Sequence, residues 1–338
     1  MNNDLMKFGT DRRAGDQPAG NGERVSSHVW SYDDILGVFD CWENNTMTTE
    51  SGEIRLMSPK IDFAFKLIFG DSRHKEIPMA FLSAVLKLPR ESLLDIEIIN
   101  SELLREYQED KKGILDVRVM MRDGCQVNIE IQILPTEFMP ERTLYYWSKM
   151  YATQIHAGEG YDVLKQCITI NIVDFDCTPL NQVHSIYHLT EGRTGHRLTD
   201  VLEVHFLELP KLFEKDVDVN PDDETVQWMM FIDSQSREVM EMLAARNPDI
   251  GNAFDLLQNI SKDEKARMAY EAREAELMDQ RTRIKSAHKN GIKKGKAEII
   301  RTMLSRGVSP DDVAMFTGIN LDEVLKIQKM PPTADKPE

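Results

Sequence analysis

Two short stretches of strict alternation constrain this chain more than anything else in it. In residues 113–121 the odd positions Leu115, Val117, Val119 and Met121 are apolar, while the even positions include Asp116 and Arg118. In residues 126–133 Val127, Ile129, Ile131 and Ile133 are apolar, and Gln126, Asn128, Glu130 and Gln132 are polar. A period of two belongs to a β-strand with unlike faces. The stretches are joined by Arg122-Asp123-Gly124-Cys125, so together they predict a β-hairpin. A two-residue Asp-Gly loop of type I′ would set Val117 opposite Glu130. Paired residues share a face, so that register would mix the apolar row with the polar one. A three-residue loop, Arg122-Asp123-Gly124, with Gly124 left-handed in a bulge, puts like beside like. Met121 then pairs with Cys125, Arg118 with Asn128, Asp116 with Glu130 and Ile114 with Gln132.

In that register the Asp116 and Glu130 Cβ atoms lie about 5 Å apart, and Gln132 follows on the same face about 7 Å along the strand. Two carboxylates so placed repel unless a cation lies between them or one holds a proton. Hard oxygen ligands suit Mg²⁺ or Mn²⁺. An ion of that kind activates water and offsets charge on a phosphate oxygen. A solvent-facing strand with ordinary polar residues also satisfies the alternation. The apolar character of both strands, and the buried strand expected after them, favour a polar face covered by helices.

Around the hairpin, Ser58 and Pro59 predict the start of a helix ending at Gly70, with Ser58 as cap and Pro59 in the first helical position. A second helix is expected over 75–86, stopped by Pro89, and a short strand within 93–103. Pro135 and Pro140 break the alternating pattern, and a helix is expected over 141–157. Residues 163–173 are apolar and β-branched, the mark of a strand covered on both faces. Further strands are expected at 183–189 and 202–209. From Pro221 helical periodicity dominates, through 222–243, 252–260 and a charged stretch over 262–304. Residues 296–329 predict three short helices, the first two ended by Gly307 and Gly318, with Ser309 and Asn320 as caps.

The motif and its surroundings resemble a known family. Ile114-Leu115-Asp116, thirteen residues, then Glu130-Ile131-Gln132 is similar to the PD-(D/E)XK nuclease superfamily. The run Pro59-Lys60-Ile61-Asp62-Phe63-Ala64-Phe65-Lys66-Leu67-Ile68-Phe69-Gly70, the helix beginning Glu141-Arg142-Thr143-Leu144-Tyr145-Tyr146, and the tail Gly291-Ile292-Lys293-Lys294-Gly295-Lys296 narrow the likeness to the Rpn recombination-promoting nucleases and transposases. The likeness spans residues 55–330. It implies an α/β, restriction-endonuclease-like αβββαβ core with a helical C-terminal region. It also implies Mg²⁺- or Mn²⁺-dependent DNA cleavage, with Asp116 and Glu130 as metal ligands. Asp62 matches an acidic residue that supports the metal or its water in many relatives; it is also a first-turn acid of the kind the helix dipole favours. The superfamily's lysine is Gln132 here, as in the Rpn group; an amide orients water but adds no charge.

The division expected is a tail over 1–54, a nuclease domain over 55–215, a helical extension over 216–295 and a small helical module over 296–330. Arg142, Tyr146 and Lys149 share one helix face. Arg142 and Tyr146 are candidates for holding the scissile phosphate, against a partly exposed face with packed tyrosines. Lys285, Lys289, Lys293, Lys294 and Lys296 have no acid between them, so Lys293 and Lys294 are candidates for the DNA backbone; a solvated face is the alternative. The last helix carries Asp322 and Glu323 near its start, ill suited to reading bases, so the final module is expected to pack or to form a homo-oligomer.

The formal net charge of -16 rules out a polybasic coat but not a local basic patch. The four cysteines form no CxxC pair, which speaks against a zinc site or disulfide framework. No leader-like or membrane-length apolar run is present, so a cytoplasmic protein without membrane contact is expected. The reading is a DNA endonuclease linked to recombination or mobile elements. A decayed nuclease core that binds DNA or assembles, and a nuclease of antiphage defence, remain alternatives.

Overall fold

A six-stranded mixed sheet organises the chain. The computed structural model describes residues 55–99 and 117–329. Strands β1 (Glu97–Ile99), β2 (Val117–Met120) and β3 (Gln126–Gln132) pair antiparallel in succession, β1 with β2 and β2 with β3. Strand β3 is parallel to β4 (Cys167–Val173), and β4 to β6 (Leu202–Glu208); β5 (His184–His188) closes the far edge antiparallel to β6. The order across the sheet is β1-β2-β3-β4-β6-β5. Parallel neighbours need a crossover, and α3 (Met139–Ala152) lies between β3 and β4 in the chain. Before the sheet come α1 (Asp62–Phe69) and α2 (Glu76–Leu86). The expected αβββαβ order of elements is therefore present, with α2 as an added helix.

The hairpin has the three-residue loop. Val117 pairs with Ile129, Arg118 with Asn128 and Val119 with Val127. The Met121 N–H donates to the Cys125 carbonyl at 2.8 Å, and the Gly124 N–H to the Met121 carbonyl at 3.0 Å. Gly124 has φ 88, which an L-residue adopts only with strain. The expected pairs Asp116 with Glu130 and Ile114 with Gln132 involve residues outside those described.

The sheet's two faces are covered differently. Gln126, Asn128, Glu130 and Gln132 share a face with Thr169 and Asn171 of β4 through the parallel register. Helix α3 covers this face: Thr143 donates to Asn171 Oδ1 at 3.1 Å, and Met139 packs with Val173, Val204 and Phe206. The other face carries Val127, Ile129 and Ile131, all buried. Toward α1 and α2 the core is aromatic: Phe65 stacks on Phe69 at 4.5 Å, and Phe69 and Phe81 meet Trp228 edge-on at 5.7 and 6.0 Å.

Several boundaries differ from expectation for physical reasons. Helix α1 starts at Asp62, with Ile61 as an N-cap that offers no side-chain bond, rather than at Ser58-Pro59. The Met57 N–H donates to Ser261 Oγ and the Ser58 N–H to Tyr270 Oη, each at 3.0 Å. Those long-range bonds hold the preceding backbone outside the helix. Pro140 lies inside the first turn of α3, where a missing N–H costs nothing. The helical stretch after Pro221 splits into α4 (Glu224–Asp233) and α5 (Arg237–Arg246), because Ser236 caps α5 by accepting from the Val239 N–H. Then follow α6 (Pro248–Lys262), α7 (Glu264–Ser305), α8 (Pro310–Thr317) and α9 (Leu321–Lys329). The first of the three expected short helices is the end of α7, which continues through Gly291 and Gly295; each glycine costs a helix only about 1 kcal/mol. Ser309 caps α8 as expected, and Ile300, Val313 and Val324 form a small separate core. No described helix is long and apolar enough to cross a membrane.

Candidate active site

The carboxyl ends of β3 and β4 and the amino ends of α1 and α3 meet at one end of the sheet. Glu130 is only 3% exposed. Arg142, in the first turns of α3, places Nη2 2.5 Å and Nε 3.2 Å from the same carboxylate oxygen, Oε1. Glu130 Oε2 is buried and has no hydrogen-bond partner among the described residues. A buried carboxylate oxygen in that condition is costly and suits a cation as its partner. The Arg142 guanidinium also lies 5.3 Å from the centre of the Tyr146 ring, a cation–π distance. Burial pushes the Tyr146 hydroxyl pKa up. Gln132 donates through Nε2 to the Leu134 carbonyl at 2.9 Å.

A second group surrounds the start of α1. Both Asp62 oxygens accept from Arg273 Nε of α7, at 2.8 and 3.0 Å, and Oδ1 also accepts from the Phe63 N–H. Lys60 Nζ lies 2.6 Å from Asp233 Oδ1 and 3.1 Å from Asp174 Oδ1. Burial works against the Lys60 ammonium, but the two carboxylates outweigh it and hold its pKa above the usual lysine value. Asp174 follows β4 directly, and its N–H donates to the Gln132 carbonyl at 3.0 Å. Arg281 of α7 reaches Asp174 Oδ2 at 3.3 Å.

Of the residues singled out in the sequence, Glu130, Arg142 and Tyr146 are therefore in one contiguous group, with Gln132 next along β3. Asp62 is tied to α7. Lys293 and Lys294 are exposed on α7, twelve and thirteen residues past Arg281, or about 18 Å along the helix. Lys149 sits 5.4 Å from the Tyr145 ring. Asp116 lies outside the described residues, and among those described no group of three or more His, Cys, Asp or Glu is arranged to hold a metal ion. Lys60, Asp174, Asp233, Arg273 and Arg281 join these contacts without being among the candidate residues of the sequence. Lys60 had a signal, two positions from Asp62 in the quoted motif; the others meet partners too remote in sequence for any local pattern to show.

The remaining candidates are structural. His184 Nε2 lies 2.8 Å from His205 Nδ1, and His205 Nε2 lies 2.8 Å from Glu203 Oε1. Burial pushes the thiols of Cys125 and Cys167 up to about 12, so both stay protonated near neutrality.

A mixed sheet in this strand order, with a buried glutamate and an arginine at the end where β3, β4, α1 and α3 meet, defines a nuclease-type α/β core. The model for the PD-(D/E)XK nuclease family transposase matches residues 59–287, and the chain belongs to that family. The match runs past the sheet into α7. No curated protein and no solved structure matches the chain.

Proposed function

We propose that the protein is a metal-dependent DNA endonuclease that hydrolyses phosphodiester bonds in a recombination or mobile-element setting in the cytoplasm. The observation that carries this reading is the divided state of Glu130: Arg142 takes Oε1, and the buried Oε2 has no partner among the described residues. Glu130 and Asp116 would hold Mg²⁺ or Mn²⁺, the ions that suit two hard carboxylates. When bound, such an ion supplies activation of water and neutralisation of phosphate charge. Arg142 fixes the Glu130 carboxylate and, 40% exposed at its side chain, is the cation nearest this carboxylate for a phosphate to meet, beside Tyr146. Gln132 orients water, and Asp62 assists from the start of α1. Lys293 and Lys294 meet the DNA backbone away from the reacting bond.

The test is plasmid nicking with Mg²⁺ or Mn²⁺ by wild type, Asp116→Ala and Glu130→Ala. Both variants are expected to be inactive; equal activity in all three would falsify the site. One observation favours a second reading, a decayed core that binds DNA or assembles as a homo-oligomer. Gln132 stands in the lysine place and its amide nitrogen is turned to the Leu134 carbonyl. DNA binding that persists without cleavage across divalent metals would select that reading. Toxicity on expression, lost in Asp116→Ala, would place the nuclease in antiphage defence.

A further inference from the structure

Five buried polar atoms without hydrogen-bond partners among the described residues lie on one face of the sheet: Arg118 Nε, Asn128 Nδ2 and Oδ1, Glu130 Oε2 and Thr169 Oγ1. The register puts them side by side. Arg118 pairs with Asn128 across β2 and β3, Asn128 pairs with Thr169 across β3 and β4, and Glu130 is the next residue of that face on β3. Asn128 is 1% exposed and Thr169 0%. Two residues further along β4, Asn171 has direct partners, Thr143 Oγ1 and the His205 carbonyl. The same covered face thus satisfies its polar groups directly at one point and leaves a connected row unsatisfied at another.

The chemistry of the row selects its occupant. It offers donors (Arg118 Nε and Asn128 Nδ2), acceptors (Asn128 Oδ1 and Glu130 Oε2) and a hydroxyl that does both. An anion is repelled at the Glu130 end and a cation at the Arg118 end. Water both donates and accepts, and a buried water needs two to four polar partners. We propose that ordered water occupies this row, and that Asn128 and Thr169 are positioning residues that act through it on Glu130 Oε2. Arg142 then fixes Oε1, while the water row takes one lone pair of Oε2 and leaves the other for the cation. The positioning role rests on Glu130 being a metal ligand; the water site does not.

Thr169→Val tests this, because it keeps the side chain's shape and removes the hydroxyl. If the row holds water, the water loses a partner and Tm falls by about 2–4 °C. If the row is dry, a stranded hydroxyl is removed and Tm is unchanged or raised, which overturns the proposal. A crystal structure of the full chain is expected to show water within hydrogen-bond distance of Asn128 Nδ2 and Thr169 Oγ1; an empty row overturns it. Calorimetric titration with Mg²⁺ is expected to give roughly tenfold weaker binding in Thr169→Val, the usual effect of losing an outer partner of a ligand. Equal affinity overturns the positioning role. A wild type that binds no Mg²⁺ sinks the metal reading and the positioning role together, while the Tm and crystal results still decide the water.

Discussion

Arg142 and Glu130 meet through a single oxygen: both guanidinium contacts, at 2.5 and 3.2 Å, fall on Glu130 Oε1. The glutamate side chain is 4% exposed and the arginine 40%. Removing the arginine leaves the buried Oε1 without its charged partner, and breaking such a pair costs more than the pair contributes. With the arginine side in partial contact with water, Arg142→Ala should lower stability by about 2 kcal/mol. Urea denaturation of the variant checks this. A midpoint equal to wild type would mean that the contact contributes nothing to the fold.

The Asp62–Arg273 contact separates two roles for Asp62. Both Asp62 oxygens accept from Arg273 Nε, so the carboxylate ties α1 to α7. Side chains 23% and 32% exposed put the pair's contribution at about 1 kcal/mol. Asp62→Asn and Arg273→Gln should therefore destabilise alike. If Asp62 also assists the reaction, only Asp62→Asn should slow cleavage, by tenfold or more. Equal cleavage by the two variants would leave Asp62 as a tether alone.

Stability should fall on mild acidification because of His184. Burial, reinforced by His205, lowers its pKa from 6.5 to about 4. Between those values the unfolded chain takes up a proton that the folded chain refuses, so stability is lost as pH falls from about 6.5 toward 4. From pH 7 to pH 5 this loss is about 2 kcal/mol. Glu203, whose pKa is held low chiefly by its hydrogen bond from His205, loses its contribution in the same direction, at lower pH. Urea melts of wild type and His184→Asn at pH 7 and pH 5 test this. Most of the wild-type difference should vanish in the variant, and a parallel loss in both would assign the effect elsewhere.

What was legible in the sequence was local. The register of β2 with β3 follows from the identity of residues 117–132, because a one-residue slip would put Glu130 among the valines, and Gly124 takes the positive φ that the three-residue loop requires. The start of α1 was not legible at Ser58-Pro59. Those residues satisfy a helix signal, but the backbone there is held by Ser261 and Tyr270, 204 and 212 residues away. Glu130 and Arg142 were each picked from their motifs, whereas their contact depends on how α3 crosses the sheet. The partners of Lys60 lie 114 and 173 residues along the chain, so its buried pairing has no trace in local spacing. The water row has a similar origin: Asn128 reads as an ordinary polar residue of an alternating strand and Thr169 as a β-branched residue of a buried one, until β4 is laid parallel to β3.

The exposed half of α7 makes the sharpest statement about DNA. Residues 281–296 are all exposed and contain seven lysines and arginines with no aspartate or glutamate. Lys285, Lys289, Lys293 and Lys296 recur at intervals of four, four and three, which places them along one face. Arg281, at the inner end of the same row, contacts Asp174, so the row runs outward from the candidate site. In a chain of net charge -16, this stretch is the natural place for phosphate to approach. Each phosphate neutralised adds about 0.9 to the slope of log affinity against log salt. Replacing Lys285, Lys289 and Lys293 together by alanine should therefore flatten that slope by about 2.7 for duplex DNA. Alanine is the strongest helix former, and none of the three side chains is buried, so Tm should not change. Fluorescence anisotropy across a salt series reads the slope, and thermal melting controls for the fold. A slope identical to wild type, with the fold intact, would show that DNA reaches the site without this helix.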